Sequence, residues 1–265
     1  MSDATTTPRP GTRTGTDTAP APRTTAGAIP EPEPGTLAAA ELALADDALV
    51  LSQRLGQWAG HAPVLEEEVA LANIALDLLG QARTLYSGLG DEDALAFLRE
   101  ERAFRNCQLV EQPNGDFAAT IVRQLFFSTY QELLYGQLTT HPLATKAVRE
   151  VAYHRDHAEH WTLRLGDGTT ESHDRTQRAV DGLWRHTGEL FQPLPELDVD
   201  WSALRADWDT RVADVLTRAT LRVPEGAQGH GWKAGGGRQG LHTESFGRLL
   251  AEMQHLHRSH PGATW

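Results

Sequence analysis

Glu150 and His154 stand four residues apart in the segment Glu150-Val151-Ala152-Tyr153-His154-Arg155-Asp156-His157-Ala158-Glu159-His160. Carboxylate and imidazole on one helix are the currency of oxygen-activating iron chemistry. In four-helix bundles that hold two irons, two helices each supply Glu-x-x-His and two others each supply a carboxylate, all pointing inward. Here the spacing is one residue too long. Residues i and i+4 share a helix face, but they set the two ligands farther apart along the axis than i and i+3. The literal motif occurs at Glu252-Met253-Gln254-His255, close to the C-terminus and without a second copy.

The other candidates must come from neighbouring helices. Asp46 and Asp47 are available on a first helix, Glu68 and Asp77 on a second, and Gln131 or Glu132 on a third. Asp77 lies in the apolar run Asn73-Ile74-Ala75-Leu76-Asp77-Leu78-Leu79-Gly80, where a buried carboxylate must be paired or metal-bound. Three residues beyond it stands Gly80, so the second helix brings no histidine. The expectation is therefore an interior whose polar groups pair with arginines or with one another, with no intact metal site. His154, His157 and His160 alternate with Arg155, Asp156 and Glu159, the pattern of a solvated face.

These side chains need long helices to carry them. The spacing predicts helices over 37–58, 64–86, 91–108, 117–139, 143–165, 171–190, 201–220 and 241–258. In the second, Leu65, Val69, Ala72, Leu76, Leu79 and Ala82 recur every three or four residues. Gln112-Pro113-Asn114-Gly115 reads as a turn and Asp116 as the cap of the following helix. No segment alternates like a half-buried strand. The prediction is an all-α chain: an up-and-down four-helix bundle with additional C-terminal helices.

Residues 1–36 hold half of the chain's 14 prolines and no aromatic residue, and they read as a disordered tail ahead of one folded unit over 37–265. They contain no apolar run after a basic start, which argues against export, and no stretch reaches the roughly 20 apolar residues of a membrane span. The single cysteine, Cys107, excludes an internal disulfide and fits a reducing, cytoplasmic setting as a half-buried thiol. A net charge of −12 disfavours nucleic acid as a partner. Gly226–Gly240 is Gly-rich but lacks Gly-Lys-Ser/Thr and a preceding strand, so it is no phosphate loop. It reads as a mobile loop, with Lys233 and Arg238 as its only anion-facing candidates. No Gly-x-Ser-x-Gly elbow supports hydrolysis.

Seven separated blocks carry a resemblance. Leu51-Ser52-Gln53-Arg54-Leu55 with Gly60-His61-Ala62-Pro63, Leu71 to Arg83, Val110 to Phe117, Leu165 to Thr169, Gly240 to Glu244, Leu250 to Gln254 and Pro261 to Trp265 resemble the structural C subunits of the bacterial phenylacetyl-CoA epoxidase family. The likeness runs from about residue 40 to the end. It implies a ferritin-like protein that pairs with a homologous catalytic subunit holding a diiron centre. A small accessory subunit and a reductase with FAD, an iron-sulfur cluster and NADPH would complete the complex. It also implies O2-dependent ring epoxidation of phenylacetyl-CoA in aerobic phenylacetate breakdown, with no cofactor in this chain. By position Asp46, Asp77, Glu150 and His154 would be remnants of an ancestral metal site, with no catalytic role. An oxygenase whose degenerate site still binds iron and a self-assembling storage bundle are the competing classes.

Overall fold

The computed structural model describes residues 32–194, 196–225 and 236–263. The tail expectation, up to residue 31, and Lys233 lie outside these. Eight α-helices and no strand occur among the described residues: α1 (Leu37–Gly56), α2 (Leu65–Leu89), α3 (Glu92–Phe97), α4 (Phe117–Gln137), α5 (Pro142–Gly166), α6 (Thr170–Trp184), α7 (Trp201–Arg218) and α8 (Glu244–Ser259). Local chemistry sets the ends. Thr36 accepts from the Ala39 amide and starts α1, Asp116 accepts from Ala119 and starts α4, and Thr169 with Ser172 forms a capping box for α6. Glu66, Glu67 and Glu68 complement the helix dipole in the first turn of α2, and Pro142 opens α5.

The core is a ferritin-like bundle. α1 packs on α2, α4 on α5, and α2 on α5; α6 and α7 cover α4 and α5, while α8 lies against α3 and α1. Pairs between α2 and α5 run in opposite sense, Gln81 with Glu150, Asp77 with His154 and Glu67 with His157. The four-residue α4–α5 loop makes that pair antiparallel too. α2 and α4 therefore run the same way, and the 90–116 connection climbs the bundle as the one long crossover of ferritin-like folds.

Two segments that the spacing predicts as continuous helices break. The 91–108 helix stops at Phe97, followed by a 3-10 turn at Glu101–Ala103 and extended chain. The reason is a set of buried carboxylates that take its amides: Arg105 N–H donates to Asp46 (2.7 Å), Cys107 N–H to Asp47 (2.7 Å) and Gln108 N–H to Glu189 (2.7 Å). Likewise the 171–190 helix ends at Trp184 and gives way to a 3-10 turn, Thr187–Phe191, which turns Glu189 inward. Residues 236–240 correct the mobile-loop reading. Gly237–Gln239 is a 3-10 turn packed so closely that a Cβ on Gly237 would collide with the Asn106 carbonyl oxygen.

Helix α2 presents apolar residues on two opposite sides. Leu71, Ile74, Ala75, Leu78, Ala82 and Leu85 are buried, whereas Leu65, Val69 and Leu76 are 72%, 52% and 64% exposed, with Ala72 open beside them. At 100° per residue the second set faces away from the bundle. A helix apolar on both sides belongs in the interior of something larger.

Candidate functional site

The seam between α2, α4 and α5 brings together three i,i+4 pairs: Asp77 and Gln81 on α2, Gln131 and Tyr135 on α4, Glu150 and His154 on α5; Gln81, Gln131, Tyr135 and His154 are buried, and Asp77 and Glu150 half-buried at its edge. His154 Nε2 lies 3.0 Å from Asp77 Oδ2. Gln81 donates to Glu150 (3.2 Å) and accepts from Gln131 (3.0 Å) and from the Tyr135 hydroxyl (3.4 Å). Burial holds the His154 imidazole below its ordinary pKa, against the opposing pull of Asp77 and Glu150. Burial likewise pushes the Tyr135 hydroxyl up, against a hydrogen bond from Gln131. A small cavity of about 140 Å³, lined by Asp77, Gly80, Gln81, Lys146 and Glu150 among others, opens from this cluster.

Gln81 and Tyr135 are absent from the candidates the spacing suggested. The signal was present: Gln81 stands one turn past Asp77, and Tyr135 one turn past Gln131. Glu132, the alternative to Gln131, is half-buried away from this cluster and pairs with Arg155 of α5 and Arg211 of α7. Glu252 and His255, the literal motif, are exposed on α8.

Asp46 is held elsewhere. Arg99 grips both its oxygens, Tyr86 donates to it at 2.5 Å and the Arg105 amide at 2.7 Å; Asp46, Arg99 and Tyr86 are buried. Tyr86 stands nine residues beyond Asp77 on α2, about two and a half turns. Asp47 is also committed, to Arg238 at 2.6 Å and to the Cys107 amide. Burial raises the Asp47 pKa and outweighs the neighbouring guanidinium. Arg238 is thus a buried counter-ion and not an exposed anion contact. Cys107 is fully buried where a half-buried thiol was expected, and burial pushes its pKa well up.

The histidine run on α5 corrects the solvated-face reading in part. His154 is buried and His157 pairs with Glu67 at 2.9 Å, because both turn toward α2; His160 is exposed. Among the described residues, no group of three or more His, Cys, Asp or Glu side chains is placed to hold a metal ion. The donor set does not suit two irons. Two carboxylates and one imidazole face three neutral groups, and the imidazole nitrogen is already bonded to one of those carboxylates.

The profile of a family described as phenylacetic acid catabolic protein matches residues 25–265. The chain belongs to that family. The C subunit of 1,2-phenylacetyl-CoA epoxidase from Escherichia coli (strain K12) is 47% identical over 250 residues, covering 86% of this chain and 99% of the relative. Family membership agrees with the all-α, ferritin-like bundle and its appended helices. No helix among the described residues is long and apolar enough to cross a membrane.

Proposed function

We propose that this member of the phenylacetic acid catabolic family is a non-catalytic structural subunit of a multicomponent phenylacetyl-CoA 1,2-epoxidase in the cytoplasm. It supports a homologous diiron subunit, which works with a small accessory subunit and a reductase using FAD, an iron-sulfur cluster and NADPH. Residues 37–265 form its single ferritin-like unit. The observation that carries this reading is the content of the bundle interior. Where a diiron bundle needs inward carboxylates and a second histidine, this chain has Gln81, Gln131 and Tyr135, the position three after Asp77 is an exposed glycine, Gly80, and the carboxylates of Asp46 and Asp47 are taken by buried arginines. The near-miss pair Glu150 and His154 serves packing between α2 and α5.

Metal counting per subunit on the co-purified complex tests it. Iron is expected in the homologous partner and none in this chain, and E150A should leave epoxidation by the intact complex unchanged. Stoichiometric iron in this chain, or an intact E150A complex without activity, would overturn the proposal. A degenerate-site oxygenase has one observation in its favour: Asp77, Glu150 and His154 do share one cluster between α2 and α5. It requires Asp46 to leave Arg99, which would strand a buried guanidinium.

A further inference from the structure

We infer that His242 is held inside the protein as an imidazolium, and that this trapped proton latches the start of α8 to the 90–116 crossover. The side chains of His242 and Glu111 are both fully buried. His242 Nδ1 lies 2.9 Å from Glu111 Oε2, and Nε2 lies 3.1 Å from the Phe104 carbonyl oxygen. A carboxylate and a carbonyl only accept, whereas a neutral imidazole has one N–H to give. With one proton on the ring, one of its nitrogens turns a lone pair toward an oxygen inside a closed site, an arrangement that costs free energy. A second proton satisfies both contacts.

The contacts of Glu111 put that proton on the ring. Its carboxylate also accepts from the Thr243 amide at 2.6 Å and from Asn106 Nδ2 at 3.0 Å, and each bond favours the ionised form. Thr243 precedes α8 without a side-chain cap of its own, so Glu111 stands at the helix N-terminus, where negative charge is stabilised. The remaining charges pull both ways. Arg54 of α1 grips the carbonyl oxygens of Glu111 and Ser245; it supports an ionised Glu111 and opposes the imidazolium. Glu252 of α8 acts on Arg54 in the opposite sense, Arg105 reaches Gly240 at the edge of the site, and Glu101 and Arg102 of the 3-10 turn are exposed to screening by water. The His242 ring also stacks on Phe246, with centroids 4.4 Å apart, so the clip fixes the first turn of α8. Loss of the proton sets an acceptor against an acceptor and pushes that turn off the crossover. Alkaline pH is therefore the release signal.

Nitrogen-15 NMR of the full chain reads the ring directly. Both ring nitrogens of His242 should carry protons at about pH 7.5, where an ordinary histidine is mostly neutral. The unfolded chain releases that proton from about pH 6.5 while the folded site keeps it, so the folded state loses ground as pH rises, by up to about tenfold per pH unit. In paired urea melts from about pH 6.5 to 8.5 the folding equilibrium constant should fall at least tenfold further for the wild type than for H242Q; Cys107 and the other groups titrate in both proteins and cancel. Over the same interval the amides of α8 should lose hydrogen-exchange protection before those of α4. A ring with a single protonated nitrogen overturns the inference, wherever the second proton has gone, and that reading on the wild type stands even if H242Q does not fold. Equal pH slopes in the two proteins overturn it too, and α8 amides that stay as protected as those of α4 would sink the latch.

Discussion

At the scale of single residues, the chain spends its buried charges on holding itself together. Asp46 accepts from Arg99, Tyr86 and the Arg105 amide inside the core. Removing one partner of such a pair strands the other. D46A is expected to cost about 3–5 kcal/mol in urea unfolding, whereas the exposed ion pair Arg248–Glu244 should cost less than ~1 kcal/mol when broken. His186 gives a pH signature. Burial, helped by Arg185, lowers its pKa to about 4, and its Nε2 accepts from Arg185 at 3.3 Å. The unfolded chain takes up that proton from about pH 6.5, while the folded chain stays neutral down to about 4. Stability therefore falls as pH drops through this window, by about 2 kcal/mol between pH 7 and 5. H186Q, which keeps an acceptor but cannot titrate, should lose less over the same interval in paired urea melts.

Elements were legible to unequal degree. The start of α4 was readable because Asp116 acts on its own neighbours, and the starts of α1 and α5 lie within a residue of the expected positions because Thr36 and Pro142 act locally too. The ends of α3 and α6 were not. Nothing near Arg105 or Cys107 announces that Asp46, Asp47 and Glu189, distant in sequence, will take their amides. Asp77, Glu150 and His154 come together because helical spacing puts them on facing sides of α2 and α5. Asp46 lies apart from them, held by an arginine on the crossover. The same logic makes Gly237 sensitive. It sits where 236–240 meets the Asn106 carbonyl, and the next residue delivers Arg238 to Asp47. G237A should cost about 1–3 kcal/mol in thermal unfolding by forcing that turn away. G182A, at a glycine with open space around it, should be neutral or better.

For the molecule as a whole, the two-sided α2 matters most. Glu150 and His154 resemble a ligand pair, and each is hydrogen-bonded to a side chain of α2; α2 itself leaves a second apolar side at the surface. An isolated chain exposing Leu65, Val69 and Leu76 should associate non-specifically as its concentration rises. The triple variant L65K/V69E/L76K should stay monodisperse at concentrations where the wild type scatters light, and should melt within about 1 kcal/mol of it. An unchanged scattering profile would mean that the ridge is not what makes the lone chain sticky.

The extended stretch from Phe104 to Gln108 has a practical meaning. By secondary structure it is a loop in the middle of a crossover, the kind of place where a protease would be expected to cut. Its amides are locked to carboxylates from α1 and the turn after α6, and Phe104, Asn106, Cys107 and Gln108 are all buried. Limited digestion should leave it intact for as long as the bundle stands. A cut there would report that α1 and the segment around Glu189 had already parted, so this loop is a built-in gauge of global unfolding.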